Sequence, residues 1–152
     1  MEKLQAHQDG GQLHRAFSVV IFNWRGEILI QQRALDKYHC PGMWVNTICS
    51  HPRDGESYLD AAHRRLLEEM GFDCDLEEKF HFIYKARFDN GLTEWELDRV
   101  FVGKYDGEVI PDPGEVHDFR WISLGDLEEE MGKTPEFFAP WFKIIMERLG
   151  VS

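Results

Sequence analysis

The pattern of apolar and polar positions along the chain predicts a set of short strands. Some segments are apolar and β-rich and others alternate strictly, and both patterns are typical of strands with buried faces. The predicted strands are Ala16–Trp24, Glu27–Arg33, Trp44–His51, Phe80–Phe88, Thr93–Tyr105 and His117–Ile122. The pairs Arg25-Gly26 and Asn90-Gly91 separate successive segments, so they predict two hairpin turns.

Helical periodicity is clearest over Ser57–Met70, where apolar residues recur every three or four positions. Ser57 is a suitable N-cap for this helix, and Gly71 is a suitable stop. Two more helices are predicted over Leu124–Met131 and Glu136–Leu149. Because helices and hairpins are mixed, the pattern predicts an α+β fold, and the length fits a single domain over residues 1–152.

The composition is that of a globular protein and argues against two classes of partner. Hydrophobic residues make up 43% of the chain and charged residues 30%, which is enough apolar material for a core. The formal net charge of -11 argues against nucleic-acid binding, which needs a positive surface, but it leaves room for a small basic pocket. No apolar run approaches the roughly 18 residues of a membrane span, so no membrane partner is expected.

The N-terminal segment and the cysteine count both favour a cytoplasmic location. Residues Met1 to Gly11 are polar, so no secretory signal is predicted. Cys40, Cys49 and Cys74 are an odd number in a chain long enough to need no disulfide. We therefore expect thiols in a reducing compartment.

The helix over Ser57–Met70 ends in a dense group of charges. Arg65 and Glu69 lie one turn apart beside its apolar stripe. A carboxylate held there is well placed to bind a hard cation such as Mg²⁺. The alternative is a surface ion pair between residues i and i+4, which these two residues alone would favour.

Imidazoles and carboxylates recur at short spacings elsewhere. His7 and His14 flank a predicted loop, and Cys49 and His51 are two apart at a strand end. Glu94 and Glu96 are also two apart in an alternating strand, so both face the same side. Three imidazoles and two carboxylates would suit Zn²⁺ or Mn²⁺. Each motif alone is more often an ordinary solvated surface.

The segment from Ser50 to Phe72 resembles the Nudix box, a loop-helix-loop signature of enzymes that act on diphosphates. Matching positions are Glu56, Arg64, Leu66, Glu68, Glu69, Gly71 and Phe72. Two positions depart from the box, since Ser50 replaces its opening glycine and Arg65 replaces the first glutamate of its Arg-Glu pair. In hydrolytic members that glutamate helps to hold the metal, so Arg65 weighs against hydrolysis.

Nearly the whole chain, from Lys3 to about Gly150, resembles the type I isopentenyl-diphosphate isomerases, which are metal-dependent Nudix enzymes. The ordered motifs that carry the resemblance are Leu13 to Ser18, Gln32 to Leu35, Asn46 to Pro52, Glu94 to Glu96 and Ala139 to Phe142. The arginine at position 65 is also part of the isomerase pattern. The resemblance implies an α/β/α sandwich with a mixed β-sheet.

By position, the resemblance implies two metal sites. The first would hold Zn²⁺ or Mn²⁺ through His7, His14, His51, Glu94 and Glu96. In the second, Glu69 and the main-chain oxygen of Cys49 would hold a Mg²⁺ that arrives with the diphosphate. Family members usually carry an additional segment before the position of Lys3, so we expect Lys3 and His7 to be held less firmly here.

The resemblance also implies how a prenyl diphosphate is bound and converted by a monomer or weak homodimer. Cys49 and Glu96 match the catalytic pair with Tyr84 beside them, and Trp141 matches an aromatic wall over the hydrocarbon. The residues that match diphosphate contacts are Lys3, Arg33, Lys37 and Arg65.

Protonating an unactivated alkene builds a tertiary carbocation, so the reaction needs a well-placed acid and base. It also needs a π face that stabilises the cation without trapping it. Two other functions stay open at this point. A Nudix hydrolase would release phosphate, and a non-catalytic prenyl-diphosphate or metal-binding module would bind without turnover.

Overall fold

A mixed β-sheet carries most of the described chain. The computed structural model describes residues 13–37, 40–87 and 93–150. In chain order its elements are β1 (His14–Phe22), β2 (Ile28–Arg33), β3 (Trp44–Val45), β4 (Ile48–Ser50), α1 (Tyr58–Met70), β5 (Leu76–Arg87), β6 (Thr93–Lys104), β7 (Val116–Ile122), α2 (Leu124–Lys133), a 3-10 turn (Pro135–Phe137) and α3 (Pro140–Arg148).

The strands follow the order β3-β2-β1-β6-β5, while β4 pairs with β1 and β7 pairs with β2. Strands β1 and β6 run parallel, which places His14 opposite Glu96, and the other pairs are antiparallel. The parallel pair brings together segments that lie far apart in the sequence. One end of β1 thus meets β4 on one side and β6 on the other.

Helices cover both faces of the sheet, and the side chains of β1 are therefore buried on both sides. Phe17 of β1 packs in one cluster with Leu66 of α1. Val20, on the opposite face of β1, packs in a second cluster with Leu127 of α2 and Phe142 of α3. A strand points successive side chains to opposite faces, so a strand buried on both sides requires a helical layer on each.

Helix α1 begins and ends as its capping residues predict. The Ser57 hydroxyl accepts a hydrogen bond from the main-chain N–H of Asp60 at 3.1 Å. Gly71 ends the helix at a φ of 75°, and a Cβ there would lie 2.6 Å from the main-chain oxygen of Ile110. The predicted helix is confirmed, and Gly71 is required both by its backbone angle and by this close approach.

The prediction of one strand over Trp44–His51 was wrong, because β3 and β4 are separated at Asn46 and Thr47. The Thr47 hydroxyl accepts a hydrogen bond from the N–H of Ile21 at 2.9 Å and donates to the oxygen of Leu29 at 2.7 Å. A side chain thus bridges β1 and β2 where ladder hydrogen bonds would otherwise form. The alternation of residue types does not reveal such a bridge.

The prediction of one helix over Glu136–Leu149 was also wrong. Its first part is the 3-10 turn, and α3 begins only at Pro140. Proline lacks the N–H that a helix interior needs but fits the first turn of a helix, so Pro140 starts a new helix rather than continuing one. This break positions Trp141, the next residue, in the first turn of α3.

The other predicted elements are confirmed with shifted ends. Strand β5 begins at Leu76 rather than Phe80, because a register shift between Glu78 and Phe80 interrupts the alternation. Phe88 and the predicted turn at Asn90-Gly91 lie outside the described residues.

We expect Leu66→Ala to lower the free energy of unfolding by about 2–5 kcal/mol, because Leu66 is fully buried between α1 and the sheet. Its neighbour Leu67 is 56% exposed and provides a matched control. Leu67→Ala should change stability by no more than about 0.5 kcal/mol. Urea unfolding of both variants measures the difference, and equal losses would contradict the placement of α1.

Candidate active site

One pocket gathers most of the residues predicted to form a site. It has a volume of about 190 Å³ and opens where β2, β4 and β6 approach α1 and α3. The predicted site residues that line it are Arg33, Lys37, Cys49, His51, Arg65, Glu69, Tyr84, Glu96 and Trp141. His14 does not line the pocket but lies opposite Glu96 in the β1–β6 register.

Three predicted site residues cannot be placed in full. Lys3 and His7 lie outside the described residues. Glu94 belongs to β6, but only its backbone is described. Their predicted roles therefore stay predictions.

The Cys49 thiol is held by two fixed partners. It accepts a hydrogen bond from the indole N–H of Trp141 at 3.0 Å and donates one to the Asn46 side-chain oxygen at 3.1 Å. The Asn46 amide nitrogen donates to the main-chain oxygens of Val19 and Ile48, at 3.0 and 2.8 Å. Both amide hydrogens are thereby used, so the Asn46 oxygen must face the sulfur and can only accept.

The surroundings of Cys49 keep its proton in place. Burial, reinforced by the negative charge of Asp98, raises the pKa of Cys49 to about 12, although the Arg33 cation opposes this shift. The residue is therefore a thiol at neutral pH rather than a thiolate. This state agrees with the hydrogen bond that it donates to Asn46.

Glu96 lies within reach of three predicted site residues. Its Oε1 atom is 3.0 Å from Nε2 of His51. Tyr84 of β5 and His14 of β1 lie opposite Glu96 on its two neighbouring strands.

Cys49 and His51, which are two residues apart, both line the pocket, as the strand pattern predicted. Strand β4 itself ends at Ser50, between the two residues.

Asp98 is a buried pocket residue that the sequence reasoning missed. Its Oδ2 atom accepts a hydrogen bond from the Ser18 hydroxyl at 3.0 Å, and the Ser18 oxygen lies 3.7 Å from the sulfur of Cys49. Burial and the nearby Glu96 charge raise the pKa of Asp98 well above its ordinary value. The alternation that joined Glu94 to Glu96 continues to Asp98, so this signal could have identified it.

Arg65 and Glu69 form the predicted ion pair, at 3.0 Å, but not on the surface. Glu69 is only 4% exposed, and it also accepts a hydrogen bond from the Gln31 amide at 3.3 Å. Burial raises the pKa of Glu69 even though the Arg65 charge opposes the shift. The pair therefore faces the pocket, which the surface alternative did not predict.

Glu115 is the second charged pocket residue that the sequence reasoning missed. It forms an ion pair with Lys37, and its Oε1 atom lies 3.6 Å from the guanidinium of Arg65. It comes from the loop before β7, far along the chain from both cations. No periodicity or spacing in the sequence links the three residues.

Trp141 forms one wall of the pocket at the start of α3. It is buried, and the guanidinium of Arg33 lies over its ring at 5.6 Å from the centroid. Tyr84 meets the same indole edge-on at 6.1 Å. Together with the hydrogen bond to Cys49, these contacts fix the plane of the ring.

Two residues of the Nudix-box resemblance hold the loop before α1. Both carboxylate oxygens of Glu56 accept hydrogen bonds from Arg64, at 2.8 and 3.0 Å, and one also accepts from the N–H of Arg53 at 2.9 Å. These contacts, the Arg64 hydrogen bond above all, lower the pKa of Glu56 to about 2. Their role in this structure is therefore to position the loop.

Neither a closed metal centre nor a membrane span is found among the described residues. Over 13–37, 40–87 and 93–150, no three His, Cys, Asp or Glu side chains are grouped closely enough to hold a metal ion. Within the same ranges, no helix has the length and hydrophobicity to cross a membrane. All three cysteines are thiols, as predicted.

Comparison with known sequences identifies similar proteins along almost the whole chain. Residues 12–142 match the NUDIX domain. The chain is 49% identical over 150 residues to the isopentenyl-diphosphate Delta-isomerase of Burkholderia multivorans, covering 99% of this chain and 85% of that protein. It is 46% identical to the isopentenyl-diphosphate Delta-isomerase of Serratia proteamaculans, covering 99% and 83% of the two chains.

Solved structures of lower identity share the fold. The MutT protein from Methanosarcina mazei Go1 matches with a TM-score of 0.71 and 20% identity, covering 90% of this chain and 91% of that one. The MutT NUDIX hydrolase from Burkholderia pseudomallei matches with a TM-score of 0.70 and 20% identity, covering 90% and 97%. These likenesses confirm the predicted α+β sandwich with a mixed sheet.

Proposed function

Since the chain belongs to the isopentenyl-diphosphate Delta-isomerase family within the Nudix superfamily, we propose that it interconverts isopentenyl diphosphate and dimethylallyl diphosphate in isoprenoid biosynthesis. The observation that carries this proposal is the pocket that contains both Cys49 and Glu96. The two residues come from β4 and β6, the strands that flank β1. A substrate carbon skeleton between them could gain a proton from one side and lose a proton to the other.

The reaction moves a double bond without changing the composition of the substrate. A proton adds to the terminal methylene carbon of isopentenyl diphosphate, and the tertiary neighbour becomes a carbocation. Loss of a proton from the next carbon of the chain then forms the new double bond. Cys49 and Glu96 serve as the acid–base pair for these two transfers, with Tyr84 beside them, opposite Glu96 on the neighbouring strand.

The wall formed by Trp141 supports the carbocation between the two transfers. The face of an indole attracts a cation by about 2 kcal/mol when water is excluded, and it offers no nucleophile that would trap the cation. Its hydrogen bond to Cys49 keeps this wall in contact with one member of the acid–base pair.

The pocket also supplies positive charge for the diphosphate. Arg33, Lys37 and Arg65 line it, and we assign them, with Lys3, to the diphosphate oxygens. These three cations provide charge-assisted contacts for an anion inside the pocket, although the chain as a whole carries a net charge of -11.

We propose two metal sites from the same positional resemblance to the isomerases. His51 faces Glu96 at 3.0 Å, and His14 lies opposite Glu96 in the register of β1 and β6. Imidazole and carboxylate donors suit Zn²⁺ or Mn²⁺, and His7 and Glu94 would complete the set. Glu69 and the main-chain oxygen of Cys49 would hold Mg²⁺. When bound, these divalent ions would neutralise diphosphate charge and orient Glu96. A cytoplasmic monomer or weak homodimer stays a prediction.

A Nudix hydrolase is the alternative function, because the box residues are present. In the structure Arg65, which replaces a metal-binding glutamate of the box, contacts the carboxylates of Glu68 and Glu69 at 2.6 and 3.0 Å. A cation thus occupies the position where hydrolytic members carry a metal ligand, and this favours the isomerase.

Turnover in D₂O tests the proposed function. Isopentenyl diphosphate incubated with the protein and Mg²⁺ should give dimethylallyl diphosphate with deuterium in a methyl group, as resolved by NMR. In D₂O the acid group of the enzyme carries deuterium, so the deuteron that it transfers must appear in the new methyl group. Hydrolysis of the diphosphate leaves the alkene carbons untouched. Release of inorganic phosphate or pyrophosphate with no dimethylallyl product would support the hydrolase and contradict the proposal.

A further inference from the structure

Gln31 is a buried polar residue of β2 that lines the pocket. Its side chain is uncharged, and the residue is only 3% exposed. Its Nε2 atom lies 2.7 Å from the main-chain oxygen of Thr47 and 3.3 Å from Oε1 of Glu69. Both neighbours are acceptors, so the amide nitrogen must face them, and it donates one hydrogen to each. Both amide hydrogens of Gln31 are therefore in use.

These two hydrogen bonds join the elements that carry the two proposed Mg²⁺ ligands. Glu69 lies in the last turn of α1, and its carboxylate is one of these ligands. Thr47 lies in the connection between β3 and β4, two residues before Cys49, whose main-chain oxygen is the other. The Gln31 side chain therefore bridges the helix and the strand connection from which the two ligands come.

The strand connection is itself fixed to the sheet. Thr47 is fully buried, and its hydroxyl accepts a hydrogen bond from the N–H of Ile21 at 2.9 Å and donates one to the oxygen of Leu29 at 2.7 Å. Ile21 belongs to β1 and Leu29 to β2. Gln31 thus ties Glu69 to a part of the molecule whose position is set by two strands.

The carboxylate of Glu69 is held at both of its oxygens. Arg65 donates to Oε2 at 3.0 Å, and Gln31 donates to Oε1. Arg65 lies one turn earlier on the same helix, so its contact moves with α1. Among the side-chain hydrogen bonds of the described residues, only that of Gln31 links this carboxylate to the sheet. The position of the carboxylate relative to the strands therefore depends on Gln31.

We infer that Gln31 is a positioning residue, which sets the Glu69 carboxylate against the Cys49 main-chain oxygen so that both can bind one Mg²⁺ together with the diphosphate. The inference rests on the proposed function, in which Mg²⁺ arrives with the diphosphate. One carboxylate and one main-chain oxygen suit this ion, because Mg²⁺ takes few protein ligands and completes its octahedron with phosphate oxygens and water. Since that geometry is strict, a small shift of Glu69 should weaken binding of the ion.

The test uses Gln31→Met, which removes the amide and nearly keeps the size of the side chain. Dissociation constants of inorganic pyrophosphate, measured by titration calorimetry with and without added Mg²⁺, give the gain in affinity that Mg²⁺ provides. We expect Gln31→Met to reduce this gain by about tenfold or more, the usual cost of removing a group that orients a metal ligand. Pyrophosphate binding without Mg²⁺ should stay unchanged, because the cations of the pocket are retained.

Two further variants separate this effect from general damage to the pocket. Gln32 is the next residue of β2, and it also donates its amide to a main-chain oxygen, that of Gly42 at 3.0 Å, but it does not line the pocket. Gln32→Met should therefore leave the gain unchanged. Gln31→Asn keeps an amide but is one methylene shorter, so it cannot reach both acceptors and should reduce the gain as Gln31→Met does. Thermal melting verifies that each variant is folded, and Gln31→Asn replaces Gln31→Met if the latter does not fold.

The gain is a binding measurement and does not depend on turnover. An unchanged gain in a folded Gln31 variant overturns the inference, and so does a wild type that gains nothing from Mg²⁺. An equal loss of pyrophosphate affinity with and without Mg²⁺ also overturns it, since Gln31 would then support the whole pocket rather than the ion. None of these results contradicts the proposed function if the wild type forms dimethylallyl diphosphate. A wild type that forms none contradicts the proposed function itself.

Discussion

Cys49→Ala and Glu96→Gln are each expected to lower the rate of isomerisation by about 10²–10⁴-fold, the usual contribution of an acid or base group. Alanine removes the only proton donor and acceptor that Cys49 offers to the pocket. Glutamine preserves the shape of Glu96 but can no longer accept a proton. Because the carbocation forms by one transfer and is consumed by the other, neither change should be compensated by the remaining partner.

Control variants separate this effect from general damage to the protein. Cys74→Ala removes a thiol that does not line the pocket, and Glu128→Gln removes an exposed carboxylate. Both should retain wild-type turnover in an assay that follows dimethylallyl diphosphate. If both Cys49→Ala and Glu96→Gln convert the substrate at the wild-type rate, these two residues are not the catalytic pair. The metal content of Glu96→Gln must be measured first, because Glu96 is also a proposed ligand.

The fold was predictable where a segment carries its own signal. Helix α1 has a full apolar stripe, a serine cap and a glycine whose positive φ ends it, so residue pattern alone locates it. The parallel pairing of β1 with β6 carries no such signal, because it joins segments about 80 residues apart. Strand periodicity indicates which residues share a face but not which strand lies next to it.

The candidate site was predictable where ordered motifs could be matched. Cys49, His51 and Glu96 were identified from the resemblance, and the structure brings all three into one pocket. Asp98 continues the alternation of β6, so the sequence could have predicted that it faces the same side as Glu96. Its burial could not have been predicted in this way. Glu115 is different, because its contacts with Lys37 and Arg65 depend on the approach of a distant loop, which only the folded chain shows.

The purified protein is expected to contain one tightly bound Zn²⁺ or Mn²⁺ per chain, and His51→Ala is expected to lose both this metal and most of the activity. His51 presents Nε2 within 3.0 Å of a Glu96 oxygen, so one imidazole and one carboxylate already face each other. Removing one of five proposed ligands leaves an incomplete set, and metal affinity depends steeply on the number and geometry of its donors.

Elemental analysis by mass spectrometry after dialysis measures this loss directly, without relying on turnover. His81→Ala is the matched control, since His81 is exposed on β5 and does not line the pocket. Its metal content and activity should equal those of the wild type. If His51→Ala keeps its full metal content and its full activity, His51 is not a ligand of the metal. Full occupancy with lost activity would instead place His51 in the chemistry of the pocket, acting on Glu96 rather than on the metal.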